Sequence, residues 1–157
     1  MSILILGKSC CKLCGNVLYR NEESISFPAF VINQVDPVAY YSDENFHSDC
    51  LNKISEAQEA RALAQEFINR IKPTSRICAI SGNLITDPND HLFIELLTSD
   101  KNSPLYRFNY LHLCRSQLKN WTERAYFKKQ ITTLVKSGTW QESNPANPYL
   151  NGLIQAL

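Results

Sequence analysis

Four residues in the first third of the chain have the types and spacing to do chemistry. Cys11 and Cys14 form a Cys-x2-Cys pair, and further along the chain His47 and Cys50 form His-x2-Cys. Two thiolates three positions apart at a tight turn can reach one Zn²⁺ at ~2.3 Å, and Gly15 lets the turn take a positive φ that aims backbone N–H groups at sulfur. His47 and Cys50, at i and i+3, share one face of the first turn of a helix and close the tetrahedron. With all four places filled by protein, the expected ion is structural, one zinc per chain, with no open position for water or substrate. Cys10 competes with Cys11 through a Cys-x3-Cys spacing.

That competition is resolved by comparing the chain with itself. A single shift without a gap lays Cys11 on Cys78, Gly15 on Gly82, Asn16 on Asn83, Pro37 on Pro104 and Leu51 on Leu118. Cys10 falls on Ile77, which predicts an apolar position for it, a common fate of free cysteine. The four ligand places fall on Cys78, Ser81, Cys114 and Gln117. Serine and glutamine are poor zinc ligands, so the second site is expected to hold no metal, with Ser81 bonding the turn N–H groups a thiolate would have accepted. His112 offers an alternative third ligand beside Cys78 and Cys114, although i and i+2 face apart on a helix.

The Cys-x2-Cys turn followed by His-x2-Cys at a helix start resembles the treble-clef zinc finger, the arrangement in half of a LIM domain and beneath the core of HNH nucleases. The resemblance covers roughly residues 10–60. It implies an α+β fold of two tandem treble-clef-like zinc-finger units, each a knuckle and hairpin plus a helix: a zinc-binding unit at 1–72, a degenerate metal-free unit at 73–137, and a tail at 138–157. Pro73 stops the helix before the junction. The insert between Cys14 and His47 is long for such a finger, which predicts extra strands in FPAFVINQVDPVAYY, residues 27–41.

The elements that must carry these residues follow from periodicity. A helix over 50–71 has Ile54, Ala57, Ala60, Ala64, Phe67 and Ile71 at spacings of three and four, an apolar stripe. A second helix over 114–135 buries Leu118, Trp121, Ala125, Ile131, Leu134 and Val135. Its other face carries Arg115, Lys119, Arg124, Lys128 and Lys129. A solvated charged face is the plain reading of those basic residues; Lys119, Arg124, Lys128 and Lys129 are the candidates if that face meets an acidic protein surface or a phosphate backbone. In the tail, Asn144-Pro145 and Asn147-Pro148 mark turns. Tyr149, Leu150, Leu153, Ile154 and Leu157 then form one face of a short amphipathic helix, too short to be stable alone and expected to pack back or to dock on a partner.

Composition limits the function classes. The 157 residues carry a net charge of +1, unlike a chain built to coat nucleic acid. The distribution is uneven: residues 1–72 hold seven Lys/Arg against nine Asp/Glu, and residues 73–157 hold nine against six, giving −2 and +3. No apolar run approaches the ~20 residues of a membrane span. The opening MSILILGK, with four consecutive apolar residues, is too short for a signal-peptide core and is expected to be a strand, with a cytoplasmic location and reduced cysteines.

The segment Phe108 to Gln117 is similar to the asparagine-containing stretch of HNH endonucleases, with His91 matching their histidine base and Asn109 their asparagine. No histidine follows Cys114 to complete such a site, and no Cys-His protease pairing is evident. The resulting expectation is a non-enzymatic zinc-binding module for protein interaction, such as an intracellular inhibitor or immunity protein or a subunit of a larger assembly. A nucleic-acid-binding zinc finger is the alternative, and no small-molecule substrate is evident.

Overall fold

The computed structural model describes residues 3–142 and 148–157. Two short antiparallel hairpins organise it. Strand β1 (Ser24–Ser26) pairs with β2 (Asn45–His47), Ile25 opposite Phe46. Strand β3 (His91–Phe93) pairs with β4 (His112–Cys114), Leu92 opposite Leu113. Each second strand runs directly into a helical turn, α1 (Ser48–Asn52) in the first hairpin and a 3₁₀ turn (Arg115–Asn120) in the second. Each turn is followed by a longer helix, α2 (Ala57–Arg70) or α3 (Arg124–Ser137). Helix α4 (Tyr149–Ala156) closes the chain. Mixed helix with small antiparallel sheets is an α+β architecture.

The backbone bonding of the first half recurs at the shifted positions in the second. Cys11 N donates to Asn16 O and Cys78 N to Asn83 O, both at 2.8 Å. Gly15 N donates to Cys11 O and Gly82 N to Cys78 O, also at 2.8 Å. Lys12 N reaches Asn45 O as Ala79 N reaches His112 O, and Ser48 N reaches Glu23 O as Arg115 N reaches Asp90 O. Gly15 and Gly82 sit at φ +75° and +73°, the left-handed turn that glycine takes without steric cost. Asp43 and Tyr110 share the same uncommon backbone, φ +63° and +61°.

Two cores result. The first gathers Leu18, Phe27, Phe30, Tyr41, Phe46, Leu51 and Ala57, Ala60 and Ala64 of α2; the second gathers Ile94, Phe108, Leu113, Trp121, Phe127, Ile131 and the leucines of α4. They are not separate in sequence, because Leu96 and Tyr110 of the second half lie in the first core. Tyr110 donates its hydroxyl to Leu63 O, and Ser99 N donates to the buried Asp36 carboxylate.

Several expectations are corrected. Residues 3–8 form a turn and not a strand: Lys8 N bonds Ile5 O, Gly7 is left-handed, and Ile3 and Ile5 are exposed, with no strand beside them among the described residues. The 27–41 insert supplies isolated bridges at Val31 and Asn33, and then a 3₁₀ turn (Pro37–Tyr41) started by Pro37 and by the Asp36 carboxylate accepting Val38 N. Neither long helix is continuous. Each breaks where an apolar side chain folds inward between the short turn and the long helix, Ile54 against the first core and its counterpart Trp121 in the second. Leu63 and Phe127 carry burial the periodicity missed, whereas Ile71, Ala125 and Val135 are exposed. Cys10 is exposed as well, and so is Ile77; both bridge the knuckle's outer edge, opposite Val17 and Leu84. The Asn144-Pro145 turn lies outside the described residues.

Candidate metal centre

The knuckle turn Cys11–Gly15 is tied to β2 through Lys12 N to Asn45 O, which brings the Cys-x2-Cys pair beside the end of that strand. His47 is the last residue of β2 and Cys50 lies within α1, so the strand-to-helix junction presents both ligands to the knuckle. One donor atom from each of Cys11, Cys14, His47 and Cys50 lies within 4.8 Å of all the others. Cys14 Sγ is 3.4 Å and Cys50 Sγ 3.9 Å from His47 Nδ1. A tetrahedron with metal–sulfur bonds of ~2.3 Å has edges of about 3.8 Å. The cluster therefore needs only small side-chain adjustment to hold a metal ion, and among the described residues it is the one such group.

The surroundings suit that role. His47 N donates to Cys11 Sγ at 3.4 Å, and His47 Nε2 lies 3.2 Å from Glu22 Oε2. A carboxylate on Nε2 fixes the ring and leaves Nδ1 facing the sulfurs, the orientation that metal-bound histidines commonly receive from a neighbour. Glu22 also accepts Tyr19 N at 3.1 Å, which holds it in place. Burial opposes ionisation of Cys11, but the N–H groups of His47, Cys14 and Leu13 outweigh it and bring the thiol down to about 6. His47 rises to about 9: burial works against its charge, and bonds to the Cys11 and Cys14 sulfurs favour it. Burial, with the neighbouring sulfurs, pushes Cys50 up to about 11. A cation would relieve this crowding of negative sulfur. The group opens on one side to a surface cleft of about 440 Å³ whose rim includes Glu22, Glu23 and Asp49.

The counterpart in the second half is not such a group. Cys78 is fully buried and accepts Cys114 N at 3.2 Å, the bond Cys11 accepts from His47. Ser81 Oγ accepts Asn83 N at 3.4 Å, so the serine completes the turn as expected. Burial opposes ionisation of Cys78, yet bonds from Ser81 bring it down to about 7; burial, with Cys78 alongside, raises Cys114 to about 11. Asn89 stands where Glu22 would be. His112 is committed elsewhere: its Nε2 meets Arg70 O at 3.0 Å and its Nδ1 meets His91 Nε2 at 2.8 Å.

The remaining singled-out residues also have defined places. Asn109 accepts Leu97 N at 2.8 Å and Thr98 N at 3.4 Å and donates to Thr98 O at 2.8 Å. Ser42, its counterpart in the first half, accepts Phe30 N and Val31 N in the same way. His91 and Asn109 thus serve different neighbours. Lys119 and Lys129 are exposed and Lys128 is half-buried, whereas Arg124 donates its Nε to Leu157 O. Glu22 is the site residue that linear spacing did not reveal, because only the pairing of Ser24 with His47 brings the turn that precedes β1 over the imidazole. No protein-family model, curated protein or solved structure matches the chain.

Proposed function

We propose that the chain is a non-enzymatic protein-interaction module of two treble-clef-like units, 1–72 and 73–137. The first is held by a single structural zinc ion, and the second, without a metal, by its own core and its packing on the first. The observation that carries this is the Cys11, Cys14, His47, Cys50 group, with its fourth place filled by protein and its imidazole backed by Glu22. Three thiolates and one imidazole favour zinc over the harder divalent cations, which prefer oxygen. The recurrence of the same turn, hairpin and helix bonds in the second half supports the duplicated design. A binding role is favoured over catalysis because the ligand set leaves no place for substrate, and because His112 and Asn109 spend their polar atoms on the fold, with His91 Nε2 turned to His112. A protein partner is favoured over nucleic acid because the net charge is +1, Trp121 is buried and Arg124 is bound internally. An inhibitor or immunity protein acting on another protein is one form of this role, and a subunit of a larger assembly is another.

Elemental analysis of the purified chain is expected to find one zinc per molecule, and none in Cys14→Ser or His47→Ala. Glu22→Gln should retain zinc but with affinity lowered ~10- to 100-fold, as loss of a carboxylate behind a ligand histidine typically does. Two zinc ions per chain, or none, would overturn the metal assignment. Salt-sensitive, tight binding to random-sequence nucleic acid at physiological ionic strength, weakened together with its salt slope by neutralising Lys119, Lys128 and Lys129, would replace the protein partner with a phosphate backbone.

A further inference from the structure

In the second half, helix α4 lies against β3 and α3. Tyr149 places its hydroxyl on the outer edge of β3, accepting Glu95 N at 2.8 Å and donating to Phe93 O at 3.4 Å. Leu150, Leu153 and Leu157 enter the second core, Leu92 is buried beside Leu153, and Arg124 Nε holds Leu157 O. The corresponding surface of the first half, between β1 and α2, has no such cover among the described residues. There a groove of about 470 Å³ is lined by Ile25, Phe27, Pro28, Arg61, Ala64 and Ile68. Ile25 is half-buried where Leu92 is buried, and Ile68 is 38% exposed. Arg61 sends Nη2 to Asn52 Oδ1, but its buried Nε finds no acceptor among the described residues.

We propose that this groove is a docking site for one amphipathic helix of a partner protein, with two or three large apolar side chains on one face and an acidic residue set to meet Arg61. The proposal rests on the two-unit reading above and specifies the partner that reading requires. A helix is the right shape because α4 fills the matching groove in the same molecule, and short amphipathic helices commonly bind such grooves through spaced apolar anchors. A strand is the wrong shape: β1 offers only three residues, and Pro28, two positions past its end, has no N–H to extend the pairing. A second copy's α4 is also a poor fit. Its Tyr149 would meet Pro28 in place of Glu95 N, and its Leu157 carbonyl would meet Ala57 in place of Arg124.

The test is selection from a phage-displayed library of short helices with apolar residues at the α4 spacing (positions 149, 150, 153 and 157) and all residues allowed elsewhere. It is panned on the full chain after one zinc per molecule has been verified, so that failure of the metal reading is seen separately. The expected result is enrichment of helices bearing Asp or Glu, with affinity falling at least tenfold on Ile68→Asp and on Ala62→Glu. Ala62 is exposed at the groove rim, so its variant keeps the core intact. On Arg61→Gln the acidic preference should vanish. Three outcomes would overturn the proposal: no enrichment over a library with scrambled apolar spacing, selected helices that bind the variants as well as wild type, or a concentration-dependent dimer that Ile68→Asp dissolves, which would give the groove to a second copy.

Discussion

His112 shows how a single buried side chain can be settled by its partners. Arg70 O can only accept, so Nε2 carries the proton and Nδ1 accepts from His91 Nε2. A second proton on His112 would set two N–H groups against each other, in a pocket that burial already makes hostile to charge and that Arg70 and Arg76 make more so. The ring is pushed down to about 4, and burial with Arg76 and Arg115 also lowers His91. Because the folded value lies below that of an unfolded histidine, ~6.5, the unfolded chain binds more protons between the two. This contribution to stability is therefore whole above ~6.5 and is lost as pH falls toward 4. Urea melts are expected to show wild type losing more stability than His112→Gln between pH 7 and pH 5, with protonation of the Cys11, Cys14, His47, Cys50 group common to both. Equal losses would mean His112 titrates normally.

At the level of elements, the residue that follows the 3₁₀ turn Pro37–Tyr41, and the one that follows its counterpart Tyr106–Phe108, is a bracket for the chain before it. Ser42 accepts two backbone N–H groups with one oxygen, and Asn109 accepts the corresponding two and returns a donor to Thr98 O. Removing such a group strands partly buried backbone donors, at ~1–3 kcal/mol. Asn109→Ala is expected to cost about 2 kcal/mol in chemical denaturation, and Asn109→Ser less, since serine does the same work at position 42. A neutral Asn109→Ala would show that the bracket contributes nothing. The broken helices belong here too. The period of α2 and α3 is legible in the sequence. The interruption before each is not, because a residue such as Ile54 or Trp121 suits a helix stripe by type and leaves the helix only because the core lies to one side of the preceding turn.

Across the whole molecule, the two halves share contacts that make them interdependent. Leu96 and Tyr110 enter the first core, Val31 bridges to Leu96, and Asn33 and Gln34 bond the 139–142 segment through Thr139 O and Gln141. Structural zinc contributes ~10–16 kcal/mol to the folding of small fingers at neutral pH. Chelation is therefore expected to abolish the single cooperative melt of the entire chain, whereas Cys78→Ser should cost only ~1–3 kcal/mol, an ordinary core loss. An unchanged melting curve after chelation would mean that the ion does not hold the fold. The ligand types and their spacing are legible in the chain before it folds, since a Cys-x2-Cys turn and a His-x2-Cys junction are local geometries written in adjacent residues. The apolar faces of α2, α3 and α4 are legible too, because they follow from helical period. Folding alone places Glu22 behind His47, spends His112 and Asn109 on the fold, sets Arg124 to hold α4 and turns Cys10 to water. Each depends on which strand or helix comes to lie beside that residue, and such long-range contacts leave no period or spacing in the chain to read.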